Sequence, residues 1–149
     1  MGFTKFYILF LILTINYLPS IKQNKVEELK VKITNIKHDK GKILAAIYSS
    51  KEDFLTTPLQ YRASEIEAGK TSVEIIFEGL EANEYAISIF HDENGNGILD
   101  KNMLGIPKEP FGFSNNARAK FSAPSFEDCM VGLTSSESTS TIAIEVKNW

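Results

Sequence analysis

Between His91 and Asp100 the chain reads His-Asp-Glu-Asn-Gly-Asn-Gly-Ile-Leu-Asp. Counted from Asp92, oxygen-bearing side chains fall at positions 1, 3, 5 and 9, on Asp92, Asn94, Asn96 and Asp100, with Gly97 at position 6. That spacing suits a hard cation. Ca²⁺ takes six to eight oxygens, and alternate residues of a tightly coiled loop turn theirs inward around a glycine that makes the sharp bend. Ile98 at position 7 adds its backbone carbonyl, and Leu99 anchors the loop to the core. Position 12 is Met103 where an EF-hand has a bidentate Glu, and a strand leads in rather than a helix. The better comparison is the abbreviated D-x-N-x-N-G-x-x-D loop, with further ligands expected from Glu93, Glu109 or Asp128. The competing reading is that two Asn-Gly pairs build tight turns and nothing more. With two certain carboxylates, the expected dissociation constant is that of an extracellular module, about 10⁻⁴–10⁻³ M.

A second reading of the same residues is catalytic. His91 with Asp92 or Glu93 offers general acid–base groups, and Cys129 with His91 offers a nucleophilic pair. Neighbours on a strand point to opposite faces, however, so His91 and Asp92 cooperate only where the chain has already turned. No Gly-x-Ser-x-Gly elbow, phosphate loop or His-Glu-x-x-His is present. His38 lies in a turn, where solvation is the expected state. The favoured reading is non-catalytic, with His91 closing a strand end and Cys129 a buried thiol.

Downstream, Phe111, Phe113, Phe121 and Phe126 account for four of the ten phenylalanines. Interleaved with Gly, Pro, Asn115 and Asn116, they either line a ligand surface (Phe111, Phe113, Asn115, Asn116) or form a lid over one end of the fold. The lid is favoured, because ordering a long loop needs buried aromatic area.

The elements that must position these groups are strands. Leu29, Val31 and Ile33 alternate with Lys30, Lys32 and Thr34; Val73, Ile75 and Phe77 fall in register, and Tyr85, Ile87 and Ile89 alternate with Ala86, Ser88 and Phe90. Ile43 to Tyr48 is apolar on both faces, the pattern of a central strand. Residues 61–67, the run Cys129, Val131, Leu133 and the run Ile142, Ile144, Val146 complete about seven strands, and 51–55 suggests one helical turn before Pro58. Turns recur at short intervals and no amphipathic helix of useful length is present. The expected fold is all-β: a seven-stranded antiparallel β-sandwich, immunoglobulin-like or transthyretin-like, with one long loop over 92–128.

Composition agrees with one globular domain. Of 149 residues 43% are hydrophobic and 23% charged, and 16 basic against 19 acidic groups give −3. No clustered Lys/Arg surface for nucleic acid is evident. One cysteine excludes an intrachain disulfide and a cysteine-built zinc site. Lys5 precedes eight apolar residues, Phe6 to Leu13. This matches a secretory signal of about residues 1–20, with 21–28 as a spacer and 29–149 as the domain. The alternative is an uncleaved membrane anchor over 6–18, and the run falls short of the roughly 20 apolar residues of a spanning helix. Either way the protein is expected to be exported, to the periplasm, outer envelope or medium, with an unidentified ligand or envelope partner.

Three further runs carry a resemblance. Gly79-Leu80 with Glu84-Tyr85-Ala86-Ile87 leads into His91–Gly97 and Asp100. Leu104-Gly105-Ile106-Pro107-Lys108-Glu109-Pro110 with Gly112–Asn116, and Pro124-Ser125-Phe126-Glu127-Asp128, continue the pattern. Over residues 29–147 the chain resembles an uncharacterised family of exported bacterial proteins, known only as a domain of unknown function. The resemblance implies bacterial origin, export and a small β-sandwich, and no activity. Asn83-Glu84 departs from it, since a Gly is expected before the tyrosine.

Overall fold

A computed structural model describes residues 28–118, 121–134 and 139–149. The expected signal or anchor segment and most of the expected spacer lie outside them. Among the described residues no helix is long and apolar enough to cross a membrane.

Eight strands form two sheets: β1 (Glu28–Ile36), β2 (Lys42–Tyr48), β3 (Arg62–Glu67), β4 (Thr71–Glu78), β5 (Glu84–Asp92), β6 (Phe111–Phe113), β7 (Met130–Gly132) and β8 (Thr139–Glu145). One sheet runs β4-β1-β8. The other runs β3-β2-β5-β6, with β7 also on β5. The all-β sandwich expectation is therefore met. One pairing departs from the antiparallel expectation, since β8 lies parallel to β1, with Val31 opposite Ile142. Two parallel strands need a long crossover, and here nearly the whole domain intervenes.

Alternation explains the core. Leu29, Val31 and Ile33 of β1, flanked by Ile75 and Phe77 of β4 and Ile144 of β8, join Ile43, Ala45 and Ile47 of β2 and Ile87 and Ile89 of β5 in one buried core. At about 25 cal/mol per Å² of apolar surface, such inward faces supply most of the driving force for folding. β2 is central, as its two apolar faces require, between β3 and β5. Its second face, with that of β5, carries another cluster, in which Tyr48 and Ala86 pack with Phe113, Phe126 and Cys129. Phe54, from the turn over 51–55, meets Tyr48 edge-on at 5.4 Å and Phe126 at 5.8 Å.

The segment 92–128 is consequently not one loop. Phe111–Phe113 pairs with β5, and Phe111 exchanges backbone hydrogen bonds with Lys147 at 3.0 and 2.9 Å, which links the two sheets. A 3-10 turn (Ser114–Asn116) follows, and then the four-residue helix α1 (Phe126–Cys129). Cys129 thus ends a helix rather than beginning a strand. Ser125 and Asp128 form a reciprocal capping box, so α1 starts where its exposed N–H groups find acceptors.

Candidate functional site

The loop over 92–100 grows from the end of β5. Asp92 is buried, and its Oδ1 accepts the backbone N–H of Gly95 at 2.8 Å and Asn96 at 3.1 Å, while Oδ2 accepts that of Gly97 at 2.7 Å. Asn94 Oδ1 accepts from the Asn96 N–H at 3.0 Å, and Asn96 Oδ1 from the Ile98 N–H at 2.8 Å. Each bond closes an Asx turn two residues long. Gly95 and Gly97 both have φ of +76°, a conformation in which any Cβ is strained. The two Asn-Gly turns are therefore real, and they curl the loop around Asp92.

The turns also bring the side chains of Asn94, Asn96 and Asp100 together, with the two amide nitrogens rather than their oxygens facing Asp100. Both side-chain amides converge on Asp100 Oδ2, from Asn94 Nδ2 at 2.6 Å and Asn96 Nδ2 at 3.3 Å. Glu109 is buried at the loop's base, where Oε1 accepts the Glu93 N–H and Oε2 the Asp100 N–H, each at 3.0 Å. A small hairpin returns the chain to it, with Lys108 donating to the Asp100 carbonyl at 2.8 Å and Asn102 to that of Ile106 at 2.8 Å. Of the further ligand candidates, Glu109 lies at the loop and Asp128 is engaged in the capping box of α1. Glu93 turns toward His38, whose Nε2 is 2.9 Å from its Oε1. Each carboxylate keeps lone pairs beyond those occupied by N–H groups, whereas Asn94 and Asn96 present their amide N–H groups to Asp100.

Above the outer face of the β2–β5 sheet lies a cleft of about 580 Å³, with Gly97, Ile98 and Leu99 in one wall. Phe90 and Phe111 line it, and the exposed Ile98, Leu104 and Phe121 form an apolar rim. Phe113 contributes to the lining but is mostly buried, packed with Phe126 in the second cluster. Asn115 lies away from this cleft, and Asn116 instead lines a smaller cavity of about 230 Å³ together with Phe111 and Phe113. Asn115 Nδ2 donates to the Met130 carbonyl at 2.8 Å, and Asn116 Oδ1 accepts the Glu145 N–H at 2.8 Å.

Of the acid–base and nucleophilic pairings, His91 lies near Glu93 but not with Asp92 or Cys129. His91 is fully buried, and its Nε2 donates to the Lys40 carbonyl at 2.6 Å rather than meeting Asp92. In strand parity His91 follows Tyr85, Ile87 and Ile89, whereas Cys129 packs on the opposite face against Ala86. Burial pushes the Cys129 thiol up to about 12, which keeps it protonated near neutrality. His38, expected in a solvated turn, instead sits against His91, ring centroids 4.9 Å apart. Nothing in the local sequence announces this contact. It follows from the register of β2 on β5, Lys42 opposite Asp92, which sets the β1–β2 turn beside the end of β5.

Residues 31–141 match a family described as an uncharacterized protein conserved in bacteria, DUF2141. The chain belongs to this family. No curated protein matches it. Among solved structures, a fimbrial assembly protein from Parabacteroides distasonis is similar at 7% identity and a TM-score of 0.45. The similarity covers 84% of this chain and 54% of that one, so the chain spans about half its length. Family membership agrees with the resemblance read over residues 29–147, and it brings no activity with it.

Proposed function

We propose that this bacterial protein is an exported, non-catalytic binding module in which Ca²⁺ orders the 92–100 loop and so shapes the cleft beside it. The observation that carries the reading is the convergence of Asn94 and Asn96 on Asp100 around a buried Asp92. With both amides turned so that Oδ1 takes the place of Nδ2, these side chains at alternate positions supply the oxygens a hard cation needs, with Ile98 offering its carbonyl. Gly97, Ile98 and Leu99 belong to both the loop and the cleft wall, so fixing one fixes the other. The apolar rim suits a ligand or envelope partner presenting aliphatic or aromatic groups, since contiguous exposed apolar surface marks interaction sites. Export rests on the basic residue and apolar run at 5–13.

Calorimetry of chelated protein tests the metal. Ca²⁺ at ten to a hundred times its dissociation constant stabilises by about 1.4–2.7 kcal/mol, which raises the melting temperature by several degrees. Asp100→Asn, which keeps side-chain size, is expected to remove that rise. An unchanged melting temperature in the wild type, or an equal rise in the variant, overturns the reading. Export is tested by the mass of protein recovered from the periplasm or medium, which should lack about the first 20 residues.

A further inference from the structure

We propose that His38, His91 and Glu93 form a second metal site, separate from the oxygen loop and selective for a divalent transition ion of the zinc class. One ring nitrogen of each histidine and a carboxylate oxygen of Glu93 all lie within 4.8 Å of one another. An ion with bonds of about 2.0–2.2 Å to imidazole and carboxylate needs only small side-chain rotations to be held there.

The ring contacts supply the independent observation. The Lys40 carbonyl can only accept, so its 2.6 Å contact fixes the proton of His91 on Nε2. That leaves Nδ1 of a fully buried imidazole as a bare lone pair, and it has no hydrogen-bond partner among the described residues. His38 Nδ1 is also buried without a partner. Native proteins pair nearly all buried polar atoms, so an unpaired one calls for an explanation; among the described side chains Gln60 Oε1 is the one other case, away from this cluster. A backbone carbonyl that holds one ring nitrogen while the other is presented is the arrangement that orients metal-ligating histidines. Glu93 is fixed at its backbone by Glu109, which steadies the third ligand.

Strand alternation separates the two sites. His91 and Glu93 serve one side of the chain, and Asp92, one residue between them, serves the other. The imidazoles select against Ca²⁺, which prefers an all-oxygen shell. Three protein ligands leave a fourth position to water or to a partner's donor. His38 and Glu93 are partly exposed, which gives an ion a way in.

The experiment is titration of the tag-free protein with Zn²⁺, in excess Ca²⁺, by calorimetry, with Co²⁺ absorption reporting nitrogen ligation. One ion per chain is expected. Removing an outer-shell partner weakens metal sites by about 10–100-fold, so His38→Ala and Glu93→Gln should each cost at least about tenfold. Both residues are on the surface, so these variants should fold, and circular dichroism checks that they do. Asp100→Asn should bind Zn²⁺ like the wild type. Absence of binding overturns the proposal. So does binding that survives His38→Ala and Glu93→Gln, or that falls equally with Asp100→Asn, because the ion would then sit elsewhere.

Discussion

Glu109 Oε2 accepts the backbone N–H of Asp100 at 3.0 Å, across the mouth of the loop whose other end its second oxygen holds at Glu93. A buried carboxylate is thus the clasp of the 92–100 segment. Glu109→Gln keeps the shape but places an NH₂ where an acceptor is needed, leaving one backbone N–H unpaired. Such a loss costs about 1–3 kcal/mol. The urea midpoint should fall accordingly, and the thermal response to Ca²⁺ should weaken with it. An unchanged midpoint would mean that the clasp contributes nothing.

Gly41 places the β1–β2 turn against the same loop. Its φ is +73°, and a Cβ there would stand 2.0 Å from the Asp92 carbonyl oxygen, an overlap with rigid backbone. Gly95 has φ of +76° and open space around it. Gly95→Ala should therefore cost only the left-handed strain, about 1–2 kcal/mol. Gly41→Ala adds a displacement of Asp92 to that strain and should cost more. Thermal unfolding of the two variants side by side decides the order, and equal losses would refute the steric argument.

How far the chain announces this architecture depends on the range of the interaction. Alternation is a property of neighbouring residues, so β1, β2, β4 and β5 stand out in the sequence, and apolar residues on both faces mark β2 as central. The side chains of Asp92, Asn94, Asn96 and Asp100 are equally local, and their gathering follows from two Asx-Gly turns. β6 is three residues long, too short for a period to show, and it exists because β5 leaves an edge for it. The parallel alignment of β8 on β1 depends on packing across more than a hundred residues. His38 meets His91 and Glu93 only through the register of β2 on β5, so no motif could have joined them.

Ser114 repairs a break in that same sheet. β7 pairs with residues 84–86 of β5 and β6 with 88–90, so Ile87 falls between the two partners. Ser114 Oγ fills the gap, accepting the Ile87 N–H at 2.9 Å and donating to the Cys129 carbonyl. Ser114→Ala strands buried backbone groups in the middle of the domain. A destabilisation of about 1–3 kcal/mol is expected in chemical denaturation. Faster hydrogen exchange at Ile87 should accompany it, and slow exchange there in the variant would show that another group takes over.

Cys129 turns this region into a reporter of unfolding. Its thiol is buried within the aromatic cluster, and burial raises its pKa from 9.0 to about 12, with Asp128 adding to the rise. At pH 8 the native thiol is both covered and protonated, so iodoacetamide should label it only through opening. The rate should be lower than in urea by about a thousandfold or more, the scale of a domain's folding constant. A raised folded-state pKa gives stability that is complete below the unfolded value near 9 and is lost as pH climbs toward 12, because the unfolded chain ionises first. The urea midpoint of the wild type should therefore fall between pH 8 and pH 11 by more than that of Cys129→Ala. Equal falls would assign the alkaline loss to other groups, and rapid native labelling at pH 8 would show that the cluster does not seal the thiol.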